Sequence, residues 1–391
     1  MIGLFWLALS AFAIGTESFM ITGLLPVMSS EFGVTAAACG QLVTVFALTY
    51  AVGSPVLAVL FNNVDRKSVL VVALTCFTIG NLTAAVATSF TMLMCARVLM
   101  ALAAALCMPT ANAVAVAIAP EDRRGRAIAF VASGLTVATA LGVPLGTLIG
   151  NYLSWRATFV LVAVLALVAL TGLLFGLPRG LPQVAASLSQ RLAVARQASV
   201  QRALLVTVLW ATAGFTLFPY LSLPLAQAGL DAGGISLALF MFGSAAAVGN
   251  IMGGILVDRV GAVRTLATAL CGALITLTLN SVVLKTFAPS AAALGLLLLM
   301  LPWGISGWAF HPAQSANLVK LVPSAPMIAL SLNASAMYLG IALGSLIGGA
   351  VLAHLSPGDL GWAGGAFAAA GLALTLLFAR RNRLFPAQIP G

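Results

Sequence analysis

Charged residues are scarce in this chain of 391 residues. They make up 7% of the sequence, against 62% hydrophobic residues and a mean hydropathy of +1.13. A soluble domain carries about 25% charged residues, so this composition excludes a soluble core. Apolar runs long enough to cross about 30 Å of hydrocarbon instead recur along the whole chain. The sequence therefore predicts an all-α membrane protein with many spans.

Sets of catalytic and metal-binding residues are missing as well. The two histidines are His311 and His354, and the chain has no HExxH, GxSxG or glycine-rich phosphate loop. The five cysteines are scattered without a CxxC pair, so we interpret them as small buried residues. The net charge of +10 comes from basic residues in short gaps between apolar runs, which does not indicate nucleic acid. We therefore expect no enzyme, no metal, no cofactor and no nucleic-acid partner.

Charges, prolines and glycines divide the chain into spans. The candidate spans are 2–28, 40–62, 68–88, 91–118, 127–150, 156–177, 203–228, 234–256, 265–284, 290–318, 326–353 and 361–379. The longest polar gap, 178–202, predicts a linker between an N-terminal six-helix bundle (1–177) and a C-terminal one (203–391). The halves resemble each other, since LGTLIG at 145–150 recurs as LGSLIG at 343–348. Such repeats in transporters place the substrate site between the halves at mid-membrane.

Lysine and arginine are distributed unevenly between the two sets of gaps. If the N-terminus is cytoplasmic, 15 of the 18 basic residues lie in cytoplasmic gaps or tails, Arg179 of the linker among them. Only Arg156 and Lys285 lie in the gaps of the other side, and Arg97 lies within a span. This bias predicts that both termini face the cytoplasm.

Three motifs carry a resemblance to a known family. Residues 254–261 read GILVDRVG, residues 61–68 read FNNVDRKS, and residues 134–150 read GLTVATALGVPLGTLIG. With its twelve spans, the chain resembles the major facilitator superfamily, particularly the drug:proton antiporters and the bacterial multidrug or chloramphenicol, sugar and purine-nucleoside exporters. The resemblance implies two pseudo-symmetric six-helix bundles, the major facilitator fold, and a place in the bacterial inner membrane.

The loop motif contributes four residues to an expected conformational latch: Asp65, Arg66, Asp258 and Arg259. A carboxylate at a helix end can accept bonds from arginine and face the positive N-terminus of a neighbouring helix. In the first half, Phe61 and Ser68 stand where the family has glycine. The alternative is a solvated charge pair worth less than about 1 kcal/mol.

The motif of the fifth span resembles the family's antiporter signature. It comprises Gly134, Gly142, Pro144, Gly146 and Gly150, with Val143 inserted between Gly142 and Pro144. Small residues at helical spacing let two backbones approach closely, so plain helix packing is an adequate alternative reading. Only the resemblance implies export rather than import.

Glu17 is the one acidic residue deep within a span, in the stretch FAIGTESFMITGLLP of residues 12–26. An intramembrane carboxylate indicates function, because low dielectric favours its neutral form and the group can then be neutral in one conformation and ionised in another, as proton coupling requires. The alternative is a protonated glutamate that donates a hydrogen bond, or one that faces a wet vestibule. Many relatives carry the acid one residue later, where this chain has Ser18, so the direction of Glu17 stays open. Arg97 in the fourth span resembles the arginine thought to influence proton transfer in antiporters; the alternative is snorkelling to the nearby interface.

Polar and aromatic residues within spans are candidates for binding substrate. In the tenth span Trp308 and His311 share a face, and Gln314 extends the polar stripe. His311 could bind substrate or carry a proton, or could instead satisfy a carbonyl freed by Pro312. The further candidates are Phe19, Met20, Phe46, Tyr50, Asn112, Trp210, Phe215, Asn333 and Tyr338.

Together these features predict a proton-coupled exporter that works by alternating access. Its expected partners are a small-molecule substrate, protons and the lipid bilayer, with the proton gradient as energy source, and the expected state is a monomer. An apolar, aromatic cavity suits moderately lipophilic, drug-like solutes. Export of sugars, nucleosides or other metabolites is the alternative of the same fold. A membrane receptor or sensor is the alternative from another class, and proton release on substrate binding would distinguish the two.

Overall fold

The structure, a computed structural model, describes residues 2–178, 180 and 188–384. Side chains are described throughout these ranges except at 122, 188 and 380–384. Arg179, which contributes to the predicted charge bias, lies outside the described residues, as do 181–187 of the predicted linker and 385–391.

The described residues form helices and turns, without a β-strand. The α-helices are α1 (Ile2–Phe32), α2 (Ala36–Leu60), α3 (Arg66–Ala85), α4 (Phe90–Ile118), α5 (Arg124–Val137), α6 (Val143–Ile149), α7 (Trp155–Gly176), α8 (Leu188–Ala195), α9 (Ala198–Leu217), α10 (Ser222–Gln227), α11 (Ala232–Val260), α12 (Ala262–Thr286), α13 (Pro289–Leu321), α14 (Pro326–His354) and α15 (Leu360–Leu384). Two π-helical turns, Ala138–Gly142 and Gly150–Ser154, separate α5, α6 and α7.

Eleven helical stretches of the described chain are long and apolar enough to cross a membrane. One of them, Arg124–Gly176, has 53 residues. At 1.5 Å per residue it would be about 80 Å long, more than twice the thickness of about 30 Å that a span must cross. Its chain turns at Ser154, whose backbone is extended (φ −171°, ψ 141°) and whose side chain caps α7. The stretch therefore supplies the fifth and sixth spans, and the prediction of a polytopic all-α membrane protein is confirmed.

Side chains at the helix starts explain several boundaries. Thr35, Asp65, Ser89 and Asp231 each accept a hydrogen bond from a backbone N–H in the first turn of the helix that follows. These bonds satisfy donors that a helix start leaves without a partner. Several observed helices extend a few residues beyond the predicted spans, because the caps lie outside the apolar runs from which the spans were predicted.

The helices pack in two groups with specific contacts between them. In the first group α1 packs on α5 and α7, and α3 on α4 and α7; in the second α11 packs on α13, α12 on α15, and α9 on α14. Between the groups, α2 lies along α14, and α11 lies against α6 and the π-helical turn before it. The bundle boundaries at 177 and 203 stay a prediction. The contacts between groups are those that position the site.

Candidate functional site

Glu17 and Arg97 form an ion pair in the interior of the protein. Glu17 is on α1 and Arg97 on α4, and both side chains are fully buried. A guanidinium nitrogen of Arg97 donates to Oε1 of Glu17. Glu17 thus points to a neighbouring helix rather than into open space. Arg97 is directed inward, unlike the interfacial arginine of the snorkelling alternative.

The surroundings of the pair satisfy only part of its hydrogen-bonding capacity. Arg97 Nε donates to the carbonyl oxygen of Leu42 on α2 at 3.1 Å, and its guanidinium lies over the Phe46 ring, 4.4 Å from the centroid. Oε2 of Glu17 and Nη2 of Arg97 are buried, and neither has a hydrogen-bond partner among the described residues. A buried polar atom without a partner costs free energy. The pair is therefore held together, but Oε2 of Glu17 can still bind a proton and Nη2 of Arg97 can still donate to a water molecule.

The glycine motif of the fifth span brings that span close to α1. A Cβ on Gly134 would overlap the Ala8 carbonyl oxygen, and one on Gly142 would overlap the Thr16 hydroxyl. Further along, Gly150 lies against Leu24 in the same way. The stripe thus follows α1 past the position of Glu17, which is the close approach that small residues permit.

The inserted Val143 coincides with a change of helical geometry. It directly follows the π-helical turn Ala138–Gly142. A π-helical turn has hydrogen bonds from residue i to residue i+5, so it holds one residue more than a turn of α-helix. The Pro144 carbonyl after it accepts a hydrogen bond from the Ser236 hydroxyl of α11 at 2.9 Å. The insertion therefore keeps the glycines facing α1 while the span also contacts the second group of helices.

A cavity of about 780 Å³, counted to its open mouth, lies between the two groups of helices. Six of the predicted substrate residues line it: Phe19, Trp210, Phe215, Trp308, His311 and Tyr338. The other lining residues were not candidates from the sequence, and the aromatic or polar ones among them are Thr139, Phe218, Phe242 and Trp303. No aspartate or glutamate is among the described lining residues, so the walls are mainly aromatic and apolar.

His311 lies between two tryptophans at one side of this cavity. Its ring centroid is 4.8 Å from that of Trp210 and 5.1 Å from that of Trp308. Trp210 also stacks on Phe310, with centroids 4.5 Å apart. Within the described chain, no hydrogen bond to the His311 ring is found, so the structure does not support the alternative of a histidine bonded to a freed carbonyl.

Tyr338 connects the cavity to the buried pair. Its ring lines the cavity and stacks on Tyr50 of α2, with centroids 3.6 Å apart. Its hydroxyl lies near Ser18, the residue next to Glu17, and near the Arg97 guanidinium. One side chain is therefore exposed to a ligand on one face and adjacent to the ionisable pair on the other.

The other predicted substrate residues lie away from this cavity. Phe46 and Tyr50 lie behind it, against Arg97 and Tyr338, and Met20 packs near Gly146. Asn112 on α4 is half-buried, and its Oδ1 has no hydrogen-bond partner.

Gln314 and Asn333 belong to a separate buried polar cluster centred on Thr207 of α9. Gln314 Nε2 donates to the Thr207 hydroxyl at 2.7 Å, and this hydroxyl donates to Asn333 Oδ1 at 2.7 Å. The polar stripe of the tenth span is thus divided, because successive turns of α13 face different spaces.

The two predicted latches differ in their contacts. Asp65 Oδ2 caps α3 by accepting from the Ser68 N–H at 3.1 Å, while its Oδ1 is buried without a partner. Asp258 and Arg259 lie in the last turn of α11, before Gly261, whose φ of +88° suits glycine. Asp258 has no ion pair with any residue that the structure describes.

Hydrogen bonds hold the two groups of helices together at the end where α2 begins. The Ser345 hydroxyl of α14 donates to the Gly40 carbonyl at 3.0 Å, and the Tyr220 hydroxyl donates to the Ser345 carbonyl at 2.8 Å. Glycine is required at position 40, since a Cβ there would overlap the Tyr220 ring. This end of the interface is closed.

The sequence is similar to transporter sequences over nearly its whole length. The family profile described as Major Facilitator Superfamily matches residues 7–325. An uncharacterized MFS-type transporter of Bacillus subtilis, YbcL, is 33% identical over 359 residues, 92% of this chain and 90% of that protein. A chloramphenicol resistance protein of Streptomyces lividans is 35% identical over 382 residues, 96% of this chain and 95% of that protein.

The fold is similar to that of solved transporter structures. The crystal structure of a D-xylose-proton symporter superposes with a TM-score of 0.79, covering 95% of this chain and 96% of that chain at 16% sequence identity. At this identity the similarity shows the fold alone. Within the described residues, no group of three or more histidine, cysteine, aspartate or glutamate side chains is placed to hold a metal.

Proposed function

The chain belongs to the major facilitator superfamily, and from that premise we propose that it is a proton-coupled exporter of moderately lipophilic, drug-like molecules. One observation carries the proposal: Tyr338 lines the aromatic cavity and also lies next to Ser18 and Arg97, beside the fully buried carboxylate–guanidinium pair. Cavity and pair together provide what a coupled carrier needs, a ligand site and a titratable group that responds to it.

The cavity supports an aromatic or lipophilic substrate rather than a sugar. Its walls are mostly rings and aliphatic side chains, and the hydrogen-bonding groups on them are the side chains of Thr139, His311 and Tyr338 and the indole N–H groups of Trp210, Trp303 and Trp308. Ligand sites of this kind bind by apolar burial and orient the ligand through a few polar groups. The chloramphenicol resistance protein among its relatives supports the same class of substrate and the direction of transport.

Coupling proceeds through the Glu17–Arg97 pair. With Glu17 ionised, Arg97 stays on it, and both remain sealed behind Phe46. Protonation removes the charge that holds the guanidinium, so the two states of the pair favour two positions of α1 relative to α4. A substrate that displaces Tyr338 shifts the same equilibrium, and by linkage the proton then changes the affinity for substrate.

Alternating access uses the contacts between the two groups of helices. The bonds among Gly40, Tyr220 and Ser345 close one end, and their rupture opens that end while the other closes. The distribution of basic residues supports a position in the bacterial inner membrane with both termini in the cytoplasm. The end opposite to these bonds then faces the cytoplasm, from which an exporter takes its substrate. We propose a monomer that needs the proton gradient and no cofactor.

The test is transport by purified protein in proteoliposomes with an imposed pH gradient. Three labelled probes represent the competing classes: chloramphenicol, arabinose and inosine. We expect gradient-driven, nigericin-sensitive accumulation of chloramphenicol above protein-free liposomes, and loss of that accumulation in Glu17→Gln. Accumulation of arabinose or inosine alone would assign the alternative substrate class. Undiminished uphill transport by Glu17→Gln would refute coupling through the pair.

A further inference from the structure

A second cavity lies entirely within the second group of helices. It measures about 570 Å³ to its open mouth and is lined by residues of α9, α12, α13 and α15. Arg202 and Ser199 on the first two turns of α9 lie at this mouth, near the end of the protein where α13 and α15 finish. None of the proposed steps of transport uses it.

The charge of this cavity is positive. Arg202 is its one charged lining residue within the described chain, and no aspartate or glutamate lines it. The guanidinium is half-buried, lies 5.6 Å from the centroid of the Phe378 ring, and has no ion pair with a described residue. Arg202 is four residues into α9, about 6 Å along the helix, and lies directly before the seventh predicted span, which begins at 203. Its charge is therefore available to an anion from outside.

The rest of the lining is mainly apolar, and its polar side chains are bonded within the protein: Thr375 donates to the Gly371 carbonyl at 2.8 Å, and Asn317 Nδ2 donates to Gln314 Oε1 at 3.4 Å. Val206, Val263, Leu266 and Phe378 supply aliphatic and aromatic surface. The fully buried amide of Gln314 is already satisfied, because its Nε2 donates to the Ala203 carbonyl at 2.6 Å and to a neighbouring hydroxyl. An occupant consequently needs an anionic group at the mouth and an apolar chain below it.

We propose that this cavity binds an anionic phospholipid of the adjoining leaflet. The phosphate contacts Arg202 and Ser199, and an acyl chain follows the apolar wall formed by Val206 and Leu266. A basic pocket between spanning helices is the kind of site that recognises acidic headgroups, and the bilayer supplies such lipids at high local concentration. A free anion would leave the apolar wall without a partner, whereas a phospholipid covers both parts. The site does not depend on the proposed transport function.

Native mass spectrometry of the full-length protein with added phosphatidylglycerol or phosphatidylethanolamine tests this proposal. We expect phosphatidylglycerol to stay bound preferentially, and Arg202→Ala to weaken its binding by about fivefold. Arg264→Ala is the matched control, because Arg264 is exposed near the start of α12 and does not line the cavity. The site would be refuted if Arg202→Ala and Arg264→Ala weakened phosphatidylglycerol binding equally, or if phosphatidylethanolamine bound as well as phosphatidylglycerol. Either result would show only a general effect of surface charge.

A second variant separates a lipid from a free anion. Val263→Trp narrows the apolar wall and leaves Arg202 in place, so it should release phosphatidylglycerol. In a separate measurement on the wild-type protein, inorganic phosphate alone should fail to raise the melting temperature. Stabilisation by phosphate equal to that by phosphatidylglycerol, or full lipid binding by Val263→Trp, would overturn the proposal. Arg202→Lys, which keeps the charge, should retain lipid and shows that the position tolerates change.

Discussion

The rings of Tyr50 and Tyr338 stack nearly parallel, with centroids 3.6 Å and planes 19° apart, and so join α2 to α14. The two helices come from the two halves of the chain, and Tyr338 also lines the main cavity. A ligand that moves the Tyr338 ring must change this stack. It must also change the position of the hydroxyl near Ser18, beside the buried carboxylate.

The first prediction concerns the Tyr338 hydroxyl. Tyr338→Phe keeps the stack and removes only the group near Ser18, so we expect chloramphenicol affinity within about threefold of wild type. Proton release on binding should fall by about fivefold, the effect of one neutral hydrogen bond. A pH-indicator dye in weakly buffered detergent solution measures that release, and fluorescence titration measures affinity.

Tyr152→Phe serves as the control for this prediction, because Tyr152 is 70% exposed and away from the cavity. Tyr338→Ala, which removes the ring as well, should weaken binding and release together. Wild-type proton release by Tyr338→Phe would exclude the hydroxyl from coupling.

The second prediction concerns the stability of the buried pair. Arg97→Met leaves Glu17 buried without its partner, which costs about 3–5 kcal/mol when one member of a buried pair is removed. The double variant Glu17→Gln with Arg97→Met removes both charges and should recover most of that loss. Tryptophan fluorescence during thermal unfolding in detergent gives the comparison. If the double variant were no more stable than Arg97→Met, the loss in Arg97→Met would not come from leaving the Glu17 charge without its partner.

Much of the fold could be predicted from apolar run length alone, since a span must cover the hydrocarbon thickness. Glu17 and Arg97 could be selected because a charge inside a span needs a partner. That they pair with each other could not be predicted, because the sequence does not fix the relative rotation of α1 and α4. The one-residue offset from many relatives left the direction of Glu17 open.

The cavity walls were harder to predict than the charges. Phe218, Phe242 and Trp303 are ordinary aromatics in spans, and nothing local distinguishes a ring that lines a cavity from one that packs in a core. Gln314 shows the opposite error. It shares a helical stripe with Trp308 and His311, and the sequence therefore predicted that all three line the same cavity. Only the packing of α9 against α13 assigns it to the buried cluster with Thr207. The inserted Val143 was the one visible signal of the π-helical turn.

The third prediction compares glycines that have the same intrinsic helix propensity but different neighbouring atoms. A Cβ on Gly134 would meet the Ala8 backbone carbonyl, which cannot move aside, so Gly134→Ala should destabilise the protein by about 1–3 kcal/mol. Gly146→Ala should cost less, since its nearest neighbour is a Thr158 methyl at 3.1 Å. Gly254 has nothing within 4 Å, and Gly254→Ala should be neutral or stabilising. Thermal unfolding of the three variants in detergent checks the order, and a uniform effect would contradict close packing against α1.

The last prediction concerns the closed end of the interface, where Cys39 is a native reporter. Cys39 is fully buried beside Gly40, so a maleimide reaches it only when this end opens. Ser345→Ala removes the bond to the Gly40 carbonyl and should raise the labelling rate of Cys39 by about fivefold. Peptide mass spectrometry reads each cysteine separately, so the rate at Cys39 is measured apart from that at the other four.

Ser306→Ala is the matched control for that labelling experiment. In the described chain the Ser306 hydroxyl bonds within α13, to Pro302 at 2.7 Å and weakly to Trp303. Its Cys39 rate should equal that of wild type. Adding Tyr220→Phe to Ser345→Ala removes the second bond of the closure and should raise the rate again. An unchanged Cys39 rate in this double variant would mean that the end held by Tyr220 and Ser345 is not the one that opens, and alternating access would then need a different pair of contacts.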